Sequence, residues 1–182
     1  MKYLGEQGSD LNPRIRAAVA ISVPFDLARS SRHIGQGFAR VYQKNFLRSL
    51  QRKARLKLES YPDLVETERL RNARTMFDFD DVFTAPVHGF SGAEDYYSRS
   101  SSLAWLHRIS VKTLLLSAID DPFLPPQVLH EVRKLAARNS NLHVEFTPHG
   151  GHVGFVAGSN PLRPTYYLEQ RAGDFRAREI QD

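Results

Sequence analysis

The 182-residue chain contains no cysteine. Disulfides, thiolate metal sites and a cysteine nucleophile are therefore excluded, and the composition fits a reducing compartment. No apolar run approaches the roughly 18 residues of a membrane-spanning helix. The N-terminal stretch MKYLGEQGSD lacks the apolar segment of a secretory signal. A cytoplasmic location is the expectation that follows. Internal repeats and low-complexity tracts are also missing. Excess charge is modest: the net charge is +5 and the isoelectric point is near 9.6. Such a balance tolerates anionic partners but does not point to nucleic acid. With 41% hydrophobic and 25% charged residues, the chain has an ordinary globular composition and enough length for one core.

Three apolar runs are present. RAAVAISVP (Arg16 to Pro24) and VKTLLLSA (Val111 to Ala118) show almost no polar alternation, as expected of parallel strands covered on both faces. LHVEFT (Leu142 to Thr147) alternates more and is expected near a sheet edge. PPQVLHEVRKLAARNS lies between the last two, with Val128, Leu129, Val132, Leu135 and Ala136 at helical spacing. Strand, helix, strand at this length is a βαβ unit with a right-handed crossover. The long interval between the first two strands reads as helix over roughly Phe38 to Glu59, Asp63 to Ala73 and Ala93 to Ile109. One crossover helix would suffice there. The excess is an insertion over about 30–108, placed where α/β folds carry a lid or pocket wall. MKYLGEQG resembles the closing turns of a helix ending on Gly5 or Gly8. A sheet of only three such strands would expose a long apolar edge, so a further segment is expected to precede Met1.

The chemistry-bearing residues fall at strand ends. Asp120 and Asp121 follow the second strand, and His152 follows the third in HGGHVGFV. Open α/β sheets place working residues at such carboxyl ends. A carboxylate accepting the imidazole Nδ1–H would fix the tautomer and leave Nε2 as a base. The order Asp then His is that of the last two members of an α/β-hydrolase triad. A histidine beside glycines alone is more often a turn residue; the preceding strand-end aspartate makes it a candidate. Asp121 is favoured over Asp120, which reads as a solvated or capping neighbour.

The blocks AAVAISVPFDL (Ala17 to Leu27), FDDVFTAPVHGFSGAEDYY (Phe79 to Tyr97), AIDDPF (Ala118 to Phe123) and HGGHVGFV (His149 to Val156) resemble, in order, those of the YheT-type α/β-hydrolases. This is the AB hydrolase 4 family, whose branch includes eukaryotic membrane-associated lipid and ester hydrolases. The resemblance implies an α/β fold with a mostly parallel sheet and a helical lid. It carries the family's Asp and His onto Asp121 and His152. It also implies a single incomplete α/β-hydrolase domain over residues 1–182, with its Asp- and His-bearing βαβ part at 111–158. The family's nucleophilic serine sits in a G-x-S-x-G elbow before a helix ending much like KYLGE, which puts it outside this chain. The implied activity is serine-type hydrolysis of carboxylic esters, acyl or lipid-like, with no cofactor and no metal. The alternative is an inactive remnant or a non-catalytic partner subunit, with no turnover from the isolated chain. Neither reading fixes the oligomeric state.

Resident serines are poor substitutes. Ser22 has no glycine-flanked elbow, and Ser117 lies inside a buried strand. Ser91 in HGFSG reads as a turn fixed by glycines. Asp80 and Asp81 read as structural or capping carboxylates, because no clustered His or Glu completes a metal set. The helix near 40–57 carries Arg40, Lys44, Arg48, Arg52, Lys53, Arg55 and Lys57. Tyr42, Phe46, Leu47, Leu50, Ala54 and Leu58 are expected to form one apolar face. A solvated outer face of a lid is the simpler reading, and a peripheral seat on anionic lipid is the functional one.

Overall fold

The computed structural model describes residues 1–157 and 165–181. In chain order its elements are α1 (Lys2–Gln7), β1 (Ala17–Ile21), α2 (Leu27–Ile34), α3 (Ala39–Ser60), α4 (Thr67–Asn72), α5 (Met76–Phe79), α6 (Ala85–Val87), α7 (Ala93–Ser100), β2 (Lys112–Ala118), α8 (Pro126–Ala136), β3 (Leu142–Thr147), β4 (Val156–Ala157), β5 (Thr165–Tyr166) and α9 (Tyr167–Gln181). The chain divides into two compact units: Met1–Phe25 with Ser102–Asp182, and Asp26–Ser101. Residue 158, the last of the expected βαβ part, lies outside the described residues.

The first unit is built on a parallel sheet in the order β1-β2-β3. Its central strand runs KTLLLSA, and every residue after Lys112 is buried. Strand periodicity sends Leu115 to one face and Leu114 and Leu116 to the other. Leu115 joins a core with Val128, Leu129 and Val132 of α8 and with Leu106 and Phe25. Leu114, Leu116 and Ala118 join Leu168 and Phe175 of α9 and Phe155. Both faces are therefore covered, which is why polar alternation is absent from this strand. β3 takes an edge position among the described residues, as its alternation suggests. α9 is fastened to it through Glu145, which accepts the Tyr167 hydroxyl and lies 2.7 Å from Arg171 Nε. That hydrogen bond, with burial, pushes the Tyr167 phenol up. α8 opens on Pro126, whose fixed φ suits a first helical turn. α1 ends at Gly8 in a left-handed conformation (φ 51°). At Gly5 a Cβ would stand 2.5 Å from the Trp105 carbonyl oxygen, so only glycine permits this close approach.

The second unit is helical. Leu47, Ala54, Leu58, Leu70, Phe79 and Val82 form its core. Asp26 caps α2 through the Arg29 amide at 2.9 Å, and Thr75 with Asp78 makes a capping box on α5. Gln51 Nε2 donates to the carbonyls of Leu70 and Ala73, both at 3.0 Å, binding α3 to the end of α4. Asp80 begins a π-helical turn and accepts the Thr84 and Tyr97 hydroxyls, each at 2.6 Å. Burial holds the Asp80 carboxyl above its usual range against those two donors. Asp81 accepts the Ala93 amide at 3.0 Å at the start of α7. Both aspartates thus have structural and capping contacts. Ser91 lies in the turn before α7, where its amide donates to Asp95 at 3.0 Å.

Several boundaries differ from the sequence reading. The helix expected over Asp63 to Ala73 shortens to α4, because Leu64 first closes a turn on the Tyr61 carbonyl at 3.2 Å. The helix expected over Ala93 to Ile109 breaks at Ser101. That residue is extended, and its hydroxyl donates back to the Tyr97 carbonyl at 2.6 Å. A 3-10 turn, Leu103–Arg108, follows. α2 and α9 have weaker signals: α2 is short, and α9 mixes polar residues with few apolar anchors. The expected single apolar face of α3 is also split. Leu47, Ala54 and Leu58 are buried, whereas Tyr42 and Phe46 are exposed. Among the described residues no helix is long and apolar enough to cross a membrane.

Candidate active site

β2 and β3 pair with Ala118 opposite Thr147. The two strands therefore end side by side, and the loops that follow emerge together. The first loop carries Asp120 and Asp121, and the second carries His149 to His152. The structure brings the expected pair into contact: His152 Nδ1 lies 2.8 Å from Asp121 Oδ2. The Asp121 side chain is fully buried, whereas the imidazole is 35% exposed. The other carboxylate oxygen, Oδ1, accepts the Phe123 amide at 2.8 Å. Asp121 is thus held from both sides, and its remaining geometry aims at the ring. The Phe123 ring packs edge-on against the imidazole, with centroids 4.5 Å apart. A neutral histidine whose Nδ1–H donates a hydrogen bond to a carboxylate keeps Nε2 as the basic nitrogen.

The glycines make this loop fit. A Cβ on Gly150 would stand 2.8 Å from the Phe155 ring and 3.1 Å from Ala118 Cβ. Gly151 is left-handed (φ 62°), and the Phe155 amide closes the turn on the Gly150 carbonyl at 3.0 Å. Phe155 then enters the core beneath α9. Ser22 secures the far side. It follows β1 in a left-handed conformation (φ 49°), a costly choice for a residue with a Cβ. Its buried hydroxyl donates to the His152 main-chain carbonyl. The hydroxyl proton is therefore committed to backbone, not to the imidazole, so Ser22 positions the histidine loop. Ser117 is buried, and its hydroxyl has no hydrogen-bond partner among the described residues.

Asp120 does more than the sequence reading assigned to it. It is solvated, yet Oδ1 accepts the Gly151 amide at 2.9 Å and Oδ2 lies 3.2 Å from His149 Nδ1. The Gly151 N–H, followed by a smaller contribution from His149, holds its carboxyl below the usual range. The adjacent aspartates thus divide the work: Asp121 holds the ring and Asp120 holds the backbone of the same loop. The DD pair was the available signal, but the Gly151 amide contact is visible only once the two loops are neighbours. A carboxyl lowered in the folded state stabilises above its unfolded pKa, about 3.9, and that contribution is lost as the pH falls through the lower folded value. Asp120→Asn should therefore flatten the acid limb of a thermal-stability profile below about pH 4. The effect should be a few tenths of a kcal/mol, because the carboxylate is exposed.

The described residues contain no group of three or more His, Cys, Asp and Glu side chains able to hold a metal ion. A buried carboxylate, an imidazole in contact with it and a glycine turn thus meet at adjacent strand ends of an α/β scaffold. Residues 3–159 match the family model of the alpha/beta hydrolase fold. The chain is an α/β-hydrolase of the YheT type. It is 39% identical over 94% of its length to the Escherichia coli K12 protein named "Putative esterase YheT", of which it covers 49%. It is 32% identical over 88% of its length to the embryogenesis-associated protein EMB8 of Picea glauca, covering 35% of that chain. A 33% identity over 52% of its length links it to human monoacylglycerol lipase ABHD2, covering 22% of that chain. The chain thus spans about half the length, or less, of these curated relatives. No solved structure matches it.

Proposed function

We propose that His152 is the general base and acid, and Asp121 its orienting carboxylate, of a serine-type carboxylic ester hydrolase, and that this chain is its C-terminal portion. The observation that carries this reading is the 2.8 Å contact between His152 Nδ1 and a fully buried Asp121 side chain. In the complete enzyme a serine outside these 182 residues attacks the ester carbonyl. His152 Nε2 takes the serine proton as the tetrahedral intermediate forms, then delivers it to the departing alcohol. A water next attacks the acyl-serine ester, giving its proton to the same nitrogen, which returns it to the serine oxygen as the acyl–serine bond breaks and the carboxylic acid leaves. Asp121 stays ionised throughout and stabilises the imidazolium. The substrate is an acyl or lipid-like ester, in keeping with relatives named as an esterase and a monoacylglycerol lipase. The site of action is cytoplasmic.

The test is a chimera joining the N-terminal half of the Escherichia coli relative to this chain, assayed on p-nitrophenyl esters. Turnover that His152→Ala abolishes is expected, and full activity in that variant overturns the assignment. The isolated 182-residue chain should be inert. A second reading, that the chain is a non-catalytic remnant or partner subunit, draws on Ser22, whose hydroxyl is bound to a backbone carbonyl. An inactive chimera that retains its fold would favour it.

A further inference from the structure

The helical unit Asp26–Ser101 carries a surface to which the proposed hydrolysis assigns no role. α3 turns Leu47, Ala54 and Leu58 into the core and leaves a second apolar stripe outside. Phe38 is 77% exposed, Leu56 58% and Val41 51%, and Tyr42 and Phe46 are also exposed, at 40% and 44%. At about 100° per residue, Phe38, Tyr42 and Phe46 run as one ridge, and the Phe38 and Tyr42 rings meet edge to face with centroids 6.0 Å apart. Lys44, Arg48, Arg52 and Arg55 form a second stripe alongside.

Beside the ridge a groove of about 790 Å³ is lined by Arg40, Lys44 and Arg48, with Arg74 and the amides of Asn45 and Gln51. Among the described residues no aspartate or glutamate lines it. Among the described residues Arg40, Lys44, Arg48, Arg52 and Arg74 form no ion pair with a carboxylate. Unneutralised cations next to exposed aromatic and aliphatic side chains are an unfavourable arrangement for a surface that meets only water.

We propose that the outer face of α3 seats this protein on a bilayer containing anionic phospholipid. The groove cations take the lipid phosphates, and Phe38, Val41 and Leu56 enter the boundary between headgroups and acyl chains. The apolar ridge decides the source of the phosphate. A free phosphate would engage the groove alone, and a nucleic acid would leave the aliphatic Val41 and Leu56 without a stacking partner. This inference is independent of the hydrolytic reading.

The test is co-sedimentation of the full chain with vesicles of phosphatidylcholine alone or mixed with phosphatidylglycerol. Binding to the mixed vesicles that weakens with added salt is expected. The triple variant Lys44→Gln/Arg48→Gln/Arg52→Gln should weaken partition roughly 100-fold, and Phe38→Ala/Leu56→Ala roughly tenfold. Unchanged circular dichroism shows that these surface variants remain folded. Equal partition onto neutral and anionic vesicles, no partition by the folded wild type, or variants that bind like wild type would overturn the proposal. So would displacement from vesicles by millimolar inorganic phosphate, tighter binding to duplex DNA than to vesicles, or a self-association that Phe38→Ala/Leu56→Ala dissolves.

Discussion

Asp121→Asn is expected to lower kcat of the complete enzyme by about 10⁴, the size seen for this change in trypsin-type relays, while leaving KM and circular dichroism near wild type. The carboxylate accepts the Nδ1 proton of His152 and the Phe123 amide through its two oxygens. An asparagine must turn either its NH2 or its single carbonyl oxygen toward each of them. With the oxygen on the Phe123 amide, the NH2 faces Nδ1, which can then only accept. The ring proton moves to Nε2, and the base is lost without a change in fold. Asp120→Asn one residue earlier should cost no more than about tenfold, because that carboxylate holds loop backbone and touches no ring nitrogen of His152. Comparing the two variants on one p-nitrophenyl ester separates the relay from the loop clamp. Equal losses in both would deny Asp121 its special role.

Leu115→Ala and Leu116→Ala should each destabilise the protein by about 3 kcal/mol, lowering Tm by about 6–12 °C. Both residues are fully buried on the central strand, but they face opposite ways. Truncating Leu115 opens a cavity under α8, and truncating Leu116 opens one under α9. Similar costs are expected because helices cover both sides of the sheet. Phe38→Ala, on the outside of α3, should change stability by less than about 0.5 kcal/mol. Paired urea and thermal unfolding of the three variants is the measurement. A Leu116→Ala cost under about 1 kcal/mol would mean that α9 does not cover that face.

The parallel strands were legible because burial on both faces leaves a continuous apolar run, as in TLLLSA. α3 and α8 were legible because helical spacing repeats over several turns. α4 and α7 were overextended because their sequences tolerate helix. What ends them is a backbone turn at Leu64 and a hydroxyl bond from Ser101, neither of which leaves a periodic trace. α9 leaves a weak sequence signal because, among its described residues, Leu168 and Phe175 are the two buried in the core and mostly polar residues lie between them. At the candidate site the sequence identified Asp121 and His152 but gave Asp120 a lesser part and left Ser22 without one. Those two act on main-chain atoms of the distant loop, and such contacts follow no residue-type pattern.

By itself the sequence determined the α/β class, the order of aspartate before histidine at successive strand ends, and the glycines that let the second loop turn. These are properties of local chemistry: side-chain branching, spacing and backbone freedom. Only the tertiary structure decided that Ala118 pairs with Thr147, that Asp121 faces the ring while Asp120 faces the Gly151 amide, and which stripe of α3 remains in water. Periodicity tells which residues share a face. Which face is covered depends on partners far away in the chain, whose burial outweighs any local preference.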